Sequence, residues 1–200
     1  MVKTDRRVQR TNQALREAFR QLAVTHNYRD ITVKQLTEVA NINRKTFYLH
    51  FDSIDDLAET FTHESATQIL KLINEQDLRE NFQHPGQIFD RLAYFYHQQQ
   101  SFYRLVLTSD EYSFLSRKVQ NEVAEGLADT IASAYHLSAT DGFVCANFLI
   151  HNVMTFFRLY FNGQIDLSPS EFKARIVSLN SFGVHQFFYP NDPIRRTTKD

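Results

Sequence analysis

The stretch that decides the fold is Thr32–Phe51, TVKQLTEVANINRKTFYLHF. Thr32 and Gln35 have the spacing of a capping box, in which each side chain satisfies the other residue's free backbone donor at a helix start. Val33, Leu36, Val39 and Ala40 then recur on one helical face. Asn41 is a residue that tolerates the left-handed backbone a helix end needs. Ile42 plugs the turn, and Asn43 is placed to cap a second helix running to Phe51. On that helix Phe47 and Phe51 face inward, four residues apart, while Arg44, Lys45, Thr46, Tyr48 and His50 point mostly outward. A short helix that exposes donors and two cations, held by a preceding helix, has the shape of a helix-turn-helix reader of the major groove. A small helical hairpin with an incidentally basic face fits the same spacing, because short patterns of this kind also arise by chance.

The charge distribution bears on these two readings. Residues 1–51 carry ten Lys and Arg against four Asp and Glu, whereas residues 52–200 carry twelve against nineteen. A basic N-terminal unit on an acidic body concentrates attraction for phosphates at one end. The basic segment coincides with the helix-turn-helix, which favours a nucleic-acid role over a merely solvated face. Arg44 and Lys45, at the N-terminal end of the reading helix, are best placed for base edges, and Arg to guanine is the commonest specific contact. Thr32 and Lys34, at the start of the preceding helix, are expected to meet phosphate, where free backbone N–H groups add to the attraction. Residues 1–10 have no apolar period, so this segment is expected to be an arm whose Arg6, Arg7 and Arg10 reach the minor groove or backbone. From Thr11 to His26 the set Leu15, Ala18, Phe19 and Leu22 predicts an amphipathic helix that completes a three-helix unit.

The order of residues from Ile31 to Phe51, followed by DSIDDL, resembles the DNA-binding domain of the TetR family of bacterial transcriptional regulators. In that family's pattern a small polar cap is followed by two variable residues, Thr, an apolar residue, Tyr, a variable residue, His or Tyr, and Phe. Here Asn43 through Phe51 fill those places. The resemblance covers about the first 60 residues. It implies that Thr46, Tyr48 and His50 contact phosphate, which completes a DNA-facing set of Thr32, Lys34, Asn43, Arg44, Lys45, Thr46, Tyr48 and His50. It implies dimerisation through the final helices, an effector-binding body, double-stranded DNA as partner and no cofactor. Two departures stand out. Asn41 occupies a turn position that is often Gly, and Ile54 sits where the family often has a Lys that touches phosphate, with Asp52 close by.

The remainder predicts an all-α chain. Only 5 Gly and 4 Pro argue against a sandwich, a barrel or a Gly-rich phosphate loop, and a single Cys145 excludes an internal disulfide framework or a multi-Cys zinc site. The expected organisation is a helix-turn-helix domain over residues 1–52, a helical regulatory and dimerisation domain over 53–189, and a loose tail over 190–200. Within the second domain a connecting helix spans 53–75 and residues 76–86 form a polar break at His84-Pro85-Gly86. Helices follow over 87–100, 101–107, 113–135, from the Ser138 cap to about 162, and from Pro169 onward. The run Phe143–Phe161 is interrupted by Asn147, His151, Asn152 and Arg158, which marks a core helix rather than a membrane span. Its apolar residues nevertheless spread around most of the circumference, which fits either a central helix or one that buries its outer face on a second subunit.

Polar or aromatic groups expected inside the body are candidates for binding a small apolar or aromatic effector: Tyr96, Phe102, Tyr103, Tyr112, Asn147, His151 and Arg158. Asn147 and His151 equally fit a satisfied core pair, and the aromatics equally fit core packing. Scattered histidines and the absence of hydrolase, Walker or dinucleotide motifs argue against an enzyme, and no metal site is expected. No charged-then-apolar leader is evident, so a cytoplasmic location without membrane association is expected. The reading is a ligand-responsive dimeric regulator, most simply a repressor at a palindromic operator. The alternative is a coactivator or interaction protein of the same fold whose body binds a protein.

Overall fold

In a computed structural model, residues 6–75, 77–97 and 100–188 are described, and among them the chain is helical with no strand. The helices are α1 (Arg6–Thr25), α2 (Val33–Val39), α3 (Arg44–Phe47), α4 (Ile54–Asn74) and α5 (Leu78–Gln83), then α6 (Pro85–His97), α7 (Gln100–Thr108), α8 (Ser113–Tyr135), α9 (Ala139–Phe161) and α10 (Pro169–Phe188). Short 3-10 turns at Tyr28–Asp30 and Asp110–Tyr112 complete the set. Residues 1–5 of the expected arm and the expected tail at 190–200 lie outside the described residues.

The chain divides into two compact units. One comprises Met1–Glu64 with Gln99–Ser116, the other Ser65–Gln98 with Arg117–Asp200. This division differs from a boundary near residue 52. The first unit extends into α4 and takes in α7, because a three-helix unit alone leaves its aromatic core open. Phe19 on α1 packs on Phe61 of α4 at 5.2 Å and on Phe102 of α7 at 6.1 Å, and Phe61 meets Phe102 at 5.5 Å. Tyr112 and Leu115 close the same core beside Leu15, Leu36, Phe47 and Leu57. The Tyr112 hydroxyl donates to the His26 carbonyl at 2.9 Å.

The second unit is built from the C-terminal half of α4 with α5, α6, α8, α9 and α10. Its main core gathers Ile69, Ile73, Val123, Leu127, Ile131, Cys145 and Leu149. Gly142 lets α9 approach α8, since a Cβ there would lie 2.6 Å from the Ala128 carbonyl oxygen. A smaller cluster forms where Phe89 of α6 stacks on Phe157 of α9 at 5.3 Å and Phe172 of α10 joins them. Lys173 ties α10 to Asp90 of α6 at 2.6 Å. Helix α9 is long and apolar enough to cross a membrane by length and composition, but here its residues Cys145, Ala146, Leu149 and Phe157 are packed in the core. Its residues Phe143, Val144 and Phe148, with Leu179 and Phe182 of α10, are left exposed.

Two connections differ from expectation. The stretch expected as a polar break contains α5, which starts because the Asp77 carboxylate accepts from the backbone N–H groups of Arg79 (2.8 Å) and Glu80 (3.4 Å). Pro85 opens α6 rather than breaking the chain, since a first-turn N–H needs no intrahelical partner.

Candidate nucleic-acid interface

The reading unit begins at the cap of α2. The Thr32 hydroxyl accepts from the Gln35 N–H at 3.2 Å and donates to Gln35 Oε1 at 2.7 Å, while the Thr32 N–H donates to that same oxygen at 2.8 Å. The expected capping box is therefore present, and it commits the Thr32 hydroxyl to the cap. Lys34 stands exposed in the first turn of α2 with its ammonium 3.9 Å from Glu38 one turn on.

The turn is a Schellman closure. Asn41 adopts φ 54°, and the Ile42 N–H reaches back to the Thr37 carbonyl at 2.9 Å. This satisfies the end of α2 and redirects the chain. Asn43 then caps α3, its Oδ1 accepting from the Lys45 N–H at 2.8 Å. Leu36 and Phe47 are fully buried and Phe51 nearly so, which pins α3 from beneath. Regular α-geometry ends at Phe47, and Tyr48 to His50 continue as turn, so α3 is shorter than the spacing predicts.

Packing on that side fixes what faces water. Asn43, Arg44, Lys45 and Tyr48 are exposed, and Thr46 and His50 are half-buried. Arg44 Nη2 donates to the Tyr48 hydroxyl at 3.2 Å, with its guanidinium 5.7 Å from the ring centroid. The two side chains thus rest on each other, one turn apart. Sequence reasoning missed Leu49, which is 81% exposed and is the most open of the large apolar side chains identified. The signal was available: Leu49 lies between two inward-facing Phe positions and cannot share their face. Val39, expected inward, is instead half-exposed, since α2 ends there and turns away from the core.

The N-terminal arginines need a correction. Arg6, Arg7 and Arg10 lie on α1, which starts five residues earlier than the apolar period indicated. Arg6–Arg10 therefore extends an ordered helix instead of forming an arm, because polar residues with good helix propensity prolong a helix beyond its packed stripe. The next helix start, α4, is acidic: Ser53 Oγ accepts from the Asp56 N–H at 3.1 Å and the Asp56 carboxylate accepts from the Asp52 N–H at 3.0 Å. The Asp55 carboxylate accepts a hydrogen bond from the Tyr28 hydroxyl. Burial, and then that carboxylate, raise the Tyr28 pKa, so the phenol stays a donor.

Residues 15–60 match the family model described as bacterial regulatory proteins, tetR family. The helix-turn-helix unit is of the TetR family. A segment of 67 residues is 40% identical to an uncharacterized HTH-type transcriptional regulator, YxbF, of Bacillus subtilis (strain 168), covering 33% of this chain and 18% of that protein. The chain thus spans under a fifth of the curated relative it matches. NalD of Pseudomonas aeruginosa, described as the secondary repressor of the MexAB-OprM multidrug efflux pump, shares the fold at TM-score 0.62 and 11% identity, over 88% of this chain and 95% of that one. The dihydroxyacetone kinase operon activator DhaS does so at TM-score 0.51 and 18% identity, over 88% and 96%. TetR-family regulators are DNA-binding transcription factors, not enzymes.

Against the TetR pattern, Ile54 packs partly buried on the core of the first unit, so the lysine common at that place has no counterpart at this residue.

The five expected effector contacts whose side chains are described do not gather in one place. Phe102 and Tyr112 belong to the core of the first unit, and the α7 backbone at Tyr103 is also in that unit. The side chains of Tyr96 and Tyr103 lie outside the described residues. Asn147 is half-buried and donates to the Phe143 carbonyl at 2.9 Å, and His151 Nδ1 bonds to the Asn147 carbonyl at 3.0 Å, so both are engaged with their own helix. Arg158 is exposed. The second unit carries an apolar cavity of about 120 Å³, and none of the five described candidates is among its lining residues. Polar residues on an apolar helix stand out in the sequence, whereas this cavity is walled mainly by ordinary aliphatic residues that look like core.

Proposed function

We propose that the protein is a dimeric, ligand-responsive TetR-family transcriptional regulator that binds a palindromic operator in the cytoplasm and represses from it. The observation that carries the DNA reading is the exposed row on and after α3. Arg44, Lys45 and Tyr48 are held outward by the burial of Phe47 and Phe51 on the opposite face. In this reading Arg44 and Lys45 address base edges, and Leu49 meets a thymine methyl group. Asn43, Thr46, Tyr48, His50, Lys34 and the backbone N–H groups after Thr32 take phosphate. Arg6, Arg7 and Arg10 add phosphate contacts from the start of α1 rather than from an arm. The exposed Phe143, Val144, Phe148, Leu179 and Phe182 support a homodimer through the neighbouring helices α9 and α10, as several large apolar side chains left open there favour an interaction face. Two reading helices about 34 Å apart then fit the half-sites of a palindrome.

The fold is shared by a protein named as an operon activator as well as by one named as a repressor, so activation, including coactivation with a protein partner, is the second reading. The test is a salt-resolved binding titration on DNA flanking the protein's own gene, followed by transcription from that DNA in vitro. Tight, salt-dependent binding of a palindromic segment by two chains, with transcription lowered, is expected. Raised transcription, or binding only when a second protein is added, would establish the alternative.

A further inference from the structure

The cavity in the second unit has a chemistry that restricts its occupant. Its volume is about 120 Å³, and α4, α5, α6, α8, α9 and α10 all contribute to its wall. Ile73, Leu92, Val123, Leu127, Leu149 and Val153 are representative of the lining; among the described residues Gln120 and Asn180 are its polar members, and no charged residue lines it. Asn180 is buried, donates through Nδ2 to the Ile176 carbonyl at 2.9 Å and accepts at Oδ1 from Asn152 at 3.4 Å. A side-chain amide has two N–H donors and two acceptor lone pairs, so Asn180 retains one of each.

Three physical limits follow. An ion entering this wall would lose its hydration and find no countercharge, which excludes carboxylates and ammonium compounds. A buried water needs two to four polar partners, and an almost wholly apolar wall offers few, so an apolar guest displaces little bound water. Size sets the third limit, since an apolar cavity of about 150 Å³ accepts a benzene ring.

We propose that this cavity binds an uncharged, largely apolar molecule of about six to eight non-hydrogen atoms, a single small ring or a short branched chain, with at most one neutral hydrogen-bonding group directed to Asn180. The proposal rests on the ligand-responsive reading above and names its ligand class.

The test uses the full chain with toluene as probe and benzoate and benzylammonium as charged probes of similar size. Toluene is expected to raise Tm in a saturable manner, and neither ion is expected to do so. Val153→Phe and, separately, Val119→Leu are expected to weaken toluene binding at least tenfold while circular dichroism stays native. Should neither variant fold, xenon binding to the wild-type protein, read from the 129Xe shift, replaces them, and saturable binding supports the site. No Tm rise with toluene, an equal rise with the ions, unchanged affinity in both folded variants, or no specific xenon binding would overturn the assignment. DNA affinity is read separately. Toluene binding that leaves DNA affinity unchanged refutes the ligand-responsive reading while supporting the ligand class. DNA release by a charged compound, with no toluene binding, refutes the class and supports the response.

Discussion

Replacing Arg44 tests the reading helix most directly. In the free protein its guanidinium rests on Tyr48, hydrogen-bonded at 3.2 Å and 5.7 Å from the ring centroid, with both residues exposed. A contact of that kind at the surface is worth about 0.5–1 kcal/mol, which must be surrendered before the side chain can reach a base. A bidentate contact to guanine supplies about 1–3 kcal/mol of discrimination. The net loss in Arg44→Ala is therefore about 0–2.5 kcal/mol, centred near 1 kcal/mol or roughly 5- to 10-fold in affinity for the operator. Random duplex loses only the Coulombic share, a change in salt slope of about one unit or less. Arg44→Lys is the control, since it keeps the charge and removes the bidentate fork. Fluorescence anisotropy on operator and scrambled duplex, at several salt concentrations, separates the two. Specificity is expected to fall in both variants, while non-specific binding falls only in Arg44→Ala. If both duplexes weaken by the same factor in Arg44→Ala and Arg44→Lys binds as the wild type does, Arg44 holds phosphate and the base-reading assignment is wrong.

Tyr112 predicts an alkaline loss of stability: burial first, then Glu111 and Asp30, push its phenol up to about 12. Below the ordinary phenol pKa of about 10 both folded and unfolded chains are protonated and the contribution is whole. Between about 10 and 12 the unfolded chain ionises first, so Tm falls as pH rises. Tyr112→Phe should flatten that fall and, through loss of the bond to the His26 carbonyl, cost about 1–3 kcal/mol at neutral pH. At Asn41, with φ 54°, Asn41→Gly should leave the urea midpoint unchanged or raised, whereas Asn41→Val should lose about 1–2 kcal/mol. Phe182→Asp, at a position 59% exposed, should shift the sedimentation equilibrium from dimer to monomer with an unaltered helical spectrum. A dimer that persists would place the interface on another face.

Much of the reading unit was legible because its determinants are local. The capping box of Thr32 and Gln35, the left-handed Asn41 and the Asn43 cap each depend on residues within five positions of one another. Such signals survive in a sequence window. The same locality explains why the ends of α8 and α9 were legible, since His136 and Gly163 adopt positive φ and close Schellman bonds at 2.9 Å. Contacts between distant segments were not legible. Nothing in a window around Phe102 or Tyr112 says that their partners are Phe19 and His26, more than eighty positions upstream, so α7 looked like part of the body.

The cavity of the second unit was not legible for a related reason, which bears on where such cavities should be sought. Reasoning from sequence picks polar residues on apolar helices because a buried polar group needs an explanation. Asn147 and His151 have one that is complete without a ligand: each bonds to a carbonyl one turn back on its own helix. A cavity for an uncharged ligand needs the opposite, side chains that leave space and ask for nothing. Val123, Leu127 and Ile131 repeat at the spacing of an ordinary core stripe, and only their position opposite α4 and α9 leaves a gap between them. The periodicity of a helix determines which residues point inward. Whether inward-pointing residues meet or fall short depends on the helices opposite. The reading face was accessible to local reasoning because burial of Phe47 and Phe51 leaves Arg44 and Tyr48 only one direction to face. The cavity required the assembled fold.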